Sequence, residues 1–260
     1  MFHFTKAGIR IAPFVIHAYF AWMIKFSHGR GDKYPIEKKY FRLQKLLKRL
    51  NRYFDAELIV EGKENIPEGP CVLYPNHTSG FDPVALISSL DYPTTFVAKK
   101  EIKSWCFVNR CIEAIEGLYI DREDLKQSLR TMMKVQEDLV NKGNKKWIIF
   151  PEGTRNKDPL HNLRPFHHGS FKAAVKANVP IVPVAMVGVG RILKFKPQFK
   201  KYPIHIKYLK PLMPEDYKDM TTQQIALYVQ NEVDKALNYD LRLKNHRMMA
   251  KYKKYRFNKI

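Results

Sequence analysis

The chain has 260 residues, a length that suits one large α/β domain with terminal additions better than two separate enzymes. Its formal net charge of +21 predicts binding to polyanions, and charge alone does not separate nucleic acid from the anionic headgroups of a lipid leaflet. The cysteines, Cys71, Cys106 and Cys111, cannot all pair with one another and have no paired metal-ligand spacing, which argues against a disulfide framework.

The first apolar segment, residues 11–22, reads IAPFVIHAYFAW and lies just ahead of Lys25. The uncharged run is shorter than the roughly 20 residues that a transmembrane helix needs, and Pro13 and His17 interrupt it. The segment also lacks the small-residue cleavage pattern of a signal peptide. We therefore predict a re-entrant or interfacial helix here.

A second amphipathic segment runs from Ile36 to Phe54. Its apolar residues recur at helical spacing, and lysines and arginines fill the gaps between them. Two interpretations fit this pattern: a helix that lies on an anionic membrane with its apolar side down, or a domain helix whose cations are solvated. The neighbouring apolar segment favours the membrane, so residues 1–56 are predicted to be membrane-associating helices.

From Leu58 onward, short apolar runs alternate with helical stretches, which is typical of an α/β fold with a mostly parallel sheet. The predicted strands are 71–74, 95–98, 117–120, 147–150, 181–187 and 204–209, and the predicted helices between them are 83–90, 123–142 and 170–178. We assign residues 57–215 to a catalytic domain. Residues 216–260 follow as a C-terminal helix, which begins with a capping box at Thr221, and a basic tail.

The segment NHTSGFD, residues 76–82, directly follows the predicted strand at 71–74. His77 is therefore expected at the carboxyl end of a strand, where open α/β sheets bind ligands. An imidazole there can take a proton from an attacking hydroxyl, and Asp82 can accept the other ring N–H and orient the ring. Because Asp82 precedes a proline, it also fits the N-cap of a helix, and capping is the alternative explanation for this carboxylate.

The segment FPEGTR, residues 150–155, also follows a predicted strand. Gly153 lets the backbone approach a ligand closely, and Arg155 offers a bidentate fork that suits phosphate. Glu152 can bond a glycerol hydroxyl. The alternative is a turn with a surface ion pair.

Two more segments complete the set. The first is GLYIDR, residues 117–122, which AKKEI, residues 98–102, precedes at some distance. They place Arg122 and Lys100 at strand ends, where both are candidates for phosphate contacts, and plain surface cations are the alternative. The second is VPIVPVA, residues 179–185, an apolar strand with two prolines, which suits an edge or an irregular step of the sheet. Two interpretations fit it: the wall of an apolar pocket, or an ordinary core strand.

In their order along the chain, NHTSGFD, GLYIDR, FPEGTR and VPIVPVA, the four segments resemble the motifs of the glycerolipid acyltransferase family, whose best-known members are 1-acyl-sn-glycerol-3-phosphate acyltransferases. The family motifs are a His and an Asp separated by four residues, then G-x-x-I-D-R, F-P-E-G-T-R and V-P-I-V-P-V, and the resemblance covers residues 58–210. It implies that His77 is the general base and Asp82 its orienting partner. It also implies that the acyl donor lies beside Pro180. The implied contacts to the acceptor and its phosphate are Lys100, Arg122, Glu152, Gly153, Thr154 and Arg155.

One position departs from the family pattern, which usually has a cation ahead of a glycine where this chain has His167 and His168 before Gly169. Arg164 is a candidate substitute for that cation. A metal site built from His161, His167 and His168 is another interpretation, but no acidic or thiol partner is spaced to complete it. We therefore predict that the protein binds no metal.

The resemblance implies transfer of a fatty acyl group from acyl-CoA or acyl carrier protein to the sn-2 hydroxyl of 1-acyl-glycerol 3-phosphate, without a cofactor. It places the enzyme at the cytoplasmic face of the cell membrane, as a peripheral or monotopic protein whose partners are membrane lipids and lysophosphatidic acid. The alternatives are an acyltransferase for glycerol 3-phosphate or another lysophospholipid, a catalytically silent lipid-binding member of the fold, and a nucleic-acid-binding protein. Since the sequence has no recognisable nucleic-acid-binding module, we predict no nucleic-acid partner.

Overall fold

The computed structural model describes residues 33–141, 145–156, 163–194, 201–237, 241–242 and 245–248. The predicted helix at residues 11–22 and the end of the basic tail therefore lie outside the described residues. The strands are β1 Ala56–Glu61, β2 Val72–Pro75, β3 Thr94–Lys99, β4 Leu118–Ile120, β5 Lys146–Ile148, β6 Ile181–Val187 and β7 Tyr202–Tyr208. The helices are α1 Ile36–Tyr53, α2 Asp82–Ser89, α3 Cys106–Ala114, α4 Leu125–Asn141, α5 Lys172–Ala177, α6 Pro214–Tyr217 and α7 Thr222–Ala236.

The strands form one sheet in the order β1-β7-β6-β2-β5-β3-β4. All neighbours pair in parallel except β6 and β7, so β7 and β1 run opposite to the other five strands. The α/β class with a mostly parallel sheet is thereby confirmed. As a result, the carboxyl ends of β4, β3, β5, β2 and β6 meet along one edge of the sheet, here called the carboxyl edge. The opposite edge, where these five strands begin, is called the amino edge.

Two apolar cores cover the two faces of the sheet. On one face, α1, α2 and α3 contribute Tyr40, Leu86 and Ile112 to a core with the sheet. On the other face, α4 and α7 contribute Val135 and Val229 to a second core. The helices on both faces thus fix the position of the connections that leave the carboxyl edge.

Helix α1 corrects the expectation that the apolar side of residues 36–54 lies on a membrane. Tyr40, Leu43 and Leu46 on that side are buried in the domain core. The Tyr40 hydroxyl also donates to the backbone carbonyls of Ile87 and Leu90, at 3.2 and 3.1 Å. The apolar face is required to cover the sheet and α2. The cations of α1 lie on its solvent-exposed side, as in a domain helix, except Lys39, which is buried and pairs with Glu116 at 3.4 Å. Among the helices of the described segments, none is both long and apolar enough to span a bilayer.

Besides the four-residue helix α6, two elements were missing from the sequence prediction, β1 and α3. Every residue of β1 is half-buried, and two of its six residues are glutamates, so it lacks the apolar run that marks the inner strands. Helix α3 is short, and its start at Cys106 follows the exposed Trp105. Tertiary contacts stabilise both elements: β1 pairs with β7, and α3 packs against α1.

Candidate active site

A histidine and a buried aspartate meet at the carboxyl end of β2. The Nδ1 atom of His77 lies 2.7 Å from Oδ2 of Asp82, whose side chain is fully buried. A carboxylate in this position holds the imidazole in the tautomer that carries its proton on Nδ1. The Nε2 atom of His77 then has its lone pair available, and it has no hydrogen-bond partner among the described residues.

The Asp82 carboxylate organises the whole His77 loop. Its Oδ2 atom also accepts the backbone N–H groups of Thr78 and Ser79, at 2.7 and 2.9 Å. Helix α2 begins at Asp82 with Phe81 as its N-cap residue, and no side chain caps it. Capping is therefore not the role of Asp82, and this alternative explanation is wrong. The carboxylate points back into the loop that precedes the helix, where it fixes the His77 ring and the backbone together.

Glu152 joins this loop to the connection that follows β5. Its Oε1 atom accepts the backbone N–H of His77 at 2.7 Å, and Oε2 accepts that of Arg164 at 3.2 Å. Glu152 is only 1 % exposed. Burial raises the pKa of Glu152, and the two backbone donors oppose this effect by stabilising the charged form. Both carboxylate oxygens are thus occupied by the backbone.

Three residues beside the motif residues complete the loop and were not singled out from the sequence. The side-chain amide of Asn76 donates to the carbonyl of Met186 and accepts its N–H, at 3.1 and 2.7 Å, which ties the end of β2 to β6. The Phe150 ring packs against the His77 ring at a tilt of 31°, with 4.1 Å between the ring centroids. The Asn156 N–H donates to the His77 carbonyl at 2.7 Å. The sequence offered one indication of their role, namely that each is adjacent to a motif residue.

Gly153 lies in the turn after β5, in the left-handed backbone region with φ of +67°. A Cβ atom at this position would lie 3.0 Å from Cδ2 of His167, so the turn requires glycine both for its conformation and for space. His167 is held there because its N–H donates to the Pro151 carbonyl at 2.9 Å. The histidine that departs from the family pattern therefore lies directly over the FPEGTR turn.

The predicted phosphate-binding cations all lie along the carboxyl edge, but they differ in whether they already form an ion pair. Thr154 and Arg155 are exposed at the turn, and Arg155 forms no ion pair with a described residue. Lys100 and Arg122 follow β3 and β4, which are neighbours in the sheet. Lys100 is paired with Asp121 at 2.6 Å, and this hydrogen bond raises the pKa of Lys100 and lowers that of Asp121.

Pro180 is not brought together with the other predicted site residues. Its carbonyl accepts the N–H of Val72 at the start of β2, so it lies at the amino edge of the sheet. His77 follows the other end of β2. The part of the VPIVPVA strand that approaches the site is its carboxyl end, where Met186 pairs with Asn76.

No group of three or more His, Cys, Asp or Glu side chains suited to a metal ion occurs within the described segments. His167 and His168 are both described and exposed, whereas His161 lies outside the described residues. The site thus consists of a base held by a carboxylate, with exposed cations along the same edge of the sheet.

Comparisons with known proteins agree with this arrangement. A family model described as Acyltransferase matches residues 57–187. A protein of Mycoplasma pneumoniae named "Probable 1-acyl-sn-glycerol-3-phosphate acyltransferase" is 27 % identical over 216 residues, which cover 78 % of this chain and 79 % of the relative. A 1-acyl-sn-glycerol-3-phosphate acyltransferase of Pseudomonas aeruginosa is 35 % identical over 127 residues, 48 % of each chain.

The fold has a counterpart among solved structures. The crystal structure of the 1-acyl-sn-glycerophosphate acyltransferase from Thermotoga maritima matches with a TM-score of 0.65 and 24 % identity, and it covers 88 % of this chain and 95 % of that one. At this identity the likeness concerns the fold. Together with the family model, which spans half of the sequence, it leads to one conclusion: the chain belongs to the acyltransferase family, among relatives named 1-acyl-sn-glycerol-3-phosphate acyltransferases.

Proposed function

We propose that this acyltransferase moves a fatty acyl group from a thioester donor to the sn-2 hydroxyl of 1-acyl-glycerol 3-phosphate, which gives phosphatidic acid. The observation that carries the proposal is the 2.7 Å contact between Nδ1 of His77 and the buried carboxylate of Asp82. The relatives named for this reaction support the choice of acceptor.

His77 acts as the general base in this proposal. Its Nε2 atom takes the proton of the attacking sn-2 hydroxyl as the oxygen adds to the thioester carbonyl, and Asp82 stabilises the imidazolium that forms. The thiolate of the donor leaves when the tetrahedral intermediate collapses, and it takes up the proton from His77. The new ester bond forms on the substrate oxygen, so no serine or cysteine of the chain becomes acylated.

The phosphate of the acceptor is held by cations of the carboxyl edge. Arg155 is the strongest candidate because it is exposed, lies in the turn beside the His77 loop and can form a bidentate contact. Arg122 is exposed at the end of β4 on the same edge. Lys100 contributes only by exchanging its bond with Asp121 for one with the phosphate.

Glu152 serves this site through the backbone. Since its two oxygens accept the N–H groups of His77 and Arg164, it positions the base and the second loop relative to each other. Direct contact with a glycerol hydroxyl is therefore not part of the proposed role.

A water-soluble donor, acyl-CoA or acyl carrier protein, and a lipid acceptor require an enzyme that works at a membrane surface. We place the protein at the cytoplasmic face of the cell membrane, in peripheral or monotopic association. The net charge of +21 suits both an anionic leaflet and an acidic donor.

The test is a transfer assay with purified full-length protein in detergent, with radiolabelled acyl-CoA and acyl carrier protein as donors. The acceptors are lysophosphatidic acid, glycerol 3-phosphate and lysophosphatidylcholine, and the products are identified by mass spectrometry. We expect phosphatidic acid from lysophosphatidic acid at a higher kcat/KM than any other product. Preferred acylation of glycerol 3-phosphate or lysophosphatidylcholine would replace the proposed acceptor, and no turnover with either donor would contradict the proposed activity.

A further inference from the structure

Helix α4 carries large apolar side chains on its solvent side. Leu125, Leu129, Met133 and Val140 are 73, 48, 64 and 62 % exposed. They are spaced by four, four and seven residues, so they form one stripe along the helix, here called the α4 stripe. The same helix buries Val135 and Leu139 in the core, and the stripe therefore lies outside the face that packs on the sheet.

Cations flank the α4 stripe along its length. Lys126, Arg130 and Lys134 are exposed, and none of them forms an ion pair with a described residue. Three exposed acidic residues oppose them in part: Glu123 and Asp124 lie at the start of the helix, where Asp124 accepts the N–H of Gln127 at 3.0 Å, and Glu137 lies in the last turns. An apolar stripe bordered by cations is complementary to an anionic lipid surface, because the apolar side chains can enter the interfacial region while the cations contact the headgroups.

The position of the stripe connects it to the active site. Helix α4 starts four residues after β4, so Leu125 lies at the carboxyl edge, close in sequence to Arg122. The neighbouring connection after β3 carries Trp105, which is 60 % exposed, and the bond from Lys100 to Asp121 ties the two connections together at 2.6 Å. Tryptophan is the residue type that favours the membrane interface.

We propose that the α4 stripe is the surface by which the folded domain docks on an anionic lipid leaflet, with the active-site edge beside the headgroups. The inference rests on the proposed function only in taking a leaflet lipid as the acceptor. Docking buries the stripe in the interfacial region while Lys126, Arg130 and Lys134 contact lipid phosphates. An acceptor held in that leaflet then meets the cations of the carboxyl edge with its headgroup.

The test measures binding of full-length protein to vesicles of mixed phosphatidylglycerol and phosphatidylcholine by flotation, without any acyl donor. The variant Leu129→Glu/Met133→Glu is expected to lower the partition constant at least about tenfold, because two apolar side chains become charged. The control is Leu227→Glu/Tyr228→Glu on α7, which changes two residues that are 59 and 41 % exposed by the same charge. It should bind within about twofold of wild type.

A second pair of variants tests the charge. Lys126→Gln/Arg130→Gln/Lys134→Gln should weaken binding to phosphatidylglycerol vesicles by up to about fivefold per cation and leave binding to pure phosphatidylcholine unchanged. Lys201→Gln/Lys207→Gln/Lys210→Gln near β7 is the charge-matched control. Wild-type binding by the Leu129→Glu/Met133→Glu variant, or an equal loss in the controls, would overturn the proposal.

Two further measurements separate the alternatives. If sedimentation equilibrium shows a dimer that Leu129→Glu/Met133→Glu dissociates while vesicle binding is unchanged, the stripe is a self-association surface and the proposal is wrong. Turnover of a short-chain, monomerically dispersed lysophosphatidic acid should be unaffected by the stripe variant, whereas turnover on vesicles should fall with binding. If wild type does not acylate this acceptor at all, the proposed function fails, and the vesicle-binding result still decides the docking surface.

Discussion

The two edges of the sheet use charged residues in opposite ways. At the amino edge, the Lys145 ammonium lies 3.0 Å from Glu116 and 2.8 Å from Asp138, and it is almost completely buried. The Lys146 ammonium donates to the carbonyls of Pro67 and Gly69 at 2.7 and 2.6 Å, and burial lowers its pKa. Each of these cations is matched inside the protein and has no access to a ligand.

At the carboxyl edge, basic side chains keep groups that no described residue binds. The His77 ring has one nitrogen on Asp82 and no described partner for the other, and Arg155 is exposed without an ion pair among the described residues. The difference shows that residues that stabilise the fold and residues available for catalysis lie at opposite edges of the sheet. Charges at the amino edge hold helices and strands together, whereas the His77 ring and the exposed cations of the carboxyl edge can meet a substrate. Substitutions at the two edges should therefore have different consequences.

The largest effect is expected from His77→Ala. Removal of a positioned base usually lowers the rate about a hundredfold to ten-thousandfold, and we expect kcat to fall by this amount. The urea unfolding curve should stay close to that of wild type, because the backbone bonds of the His77 loop remain. Acyl transfer to lysophosphatidic acid in detergent is the measurement. Turnover at the wild-type rate would remove His77 from the mechanism.

Asp82→Asn should lower kcat by on the order of a hundredfold or more, since an amide allows the wrong tautomer of His77. Unlike His77→Ala, this change also weakens the acceptor of the Thr78 and Ser79 backbone N–H groups, so some loss of stability accompanies it. The kinetic effect is read from kcat under saturating substrate. A variant with normal kcat and a lower unfolding free energy would assign Asp82 to the loop structure alone.

At the amino edge, Lys145→Met should lower the stability of the protein and leave kcat unchanged. The change leaves Glu116 and Asp138 without their shared cation, and loss of a buried partner costs about 3 kcal/mol. We expect a smaller loss than this because Glu116 is 35 % exposed and remains partly solvated. Chemical denaturation measures the effect, and kcat per folded molecule should match wild type.

Lys235→Met is the matched control for this prediction. Lys235 is 74 % exposed, and its one ion pair with a described residue is to Glu232, one turn away on α7. Its removal should change the unfolding free energy by less than about 0.5 kcal/mol. If the two lysines had equal effects, the contrast between a buried network and a surface pair would be lost.

Arg155→Ala should act on substrate binding and leave stability unchanged. A charge-assisted bond to phosphate contributes about 1.5–3 kcal/mol, so KM for lysophosphatidic acid should rise about tenfold to a hundredfold. The control is Arg110→Ala on α3, an exposed arginine whose only ion pair among the described residues is with Glu113. An unchanged KM in Arg155→Ala would move the phosphate contact to another cation of this edge.

The sequence was sufficient to predict which residues lie together at the carboxyl edge, and the reason is physical. His77, Lys100, Arg122 and Arg155 each follow an apolar run, and parallel strands bring the ends of such runs together. Pro180 was misplaced relative to them, since the composition of a strand does not say which of its ends faces the site.

Helix α1 shows a second limit. An amphipathic pattern has the same spacing whether its apolar face covers a sheet or a membrane, so only packing decides between them. The exposed stripe of α4 shows the converse: residues 123–142 were predicted as an ordinary covering helix, and only the folded structure shows that some of their apolar side chains point outward. Charged residues were ambiguous in the same way, because the sequence does not report burial.

The smallest effect, a change in how stability depends on pH, is expected from Glu152→Gln. Glu152 tests the contrast between the two edges because it lies at the carboxyl edge but is buried like the lysines of the amino edge. Burial raises its pKa, so the folded protein binds this proton more tightly than the unfolded chain. The resulting stabilisation is complete below the unfolded pKa and is lost as pH rises through the folded value. Glu152→Gln does not titrate. The unfolding free energy of wild type minus that of the variant should therefore decrease as pH rises from about 4 to 7. Other titrating groups cancel in this difference, and a difference that stayed flat or increased would mean that the two backbone donors outweigh burial.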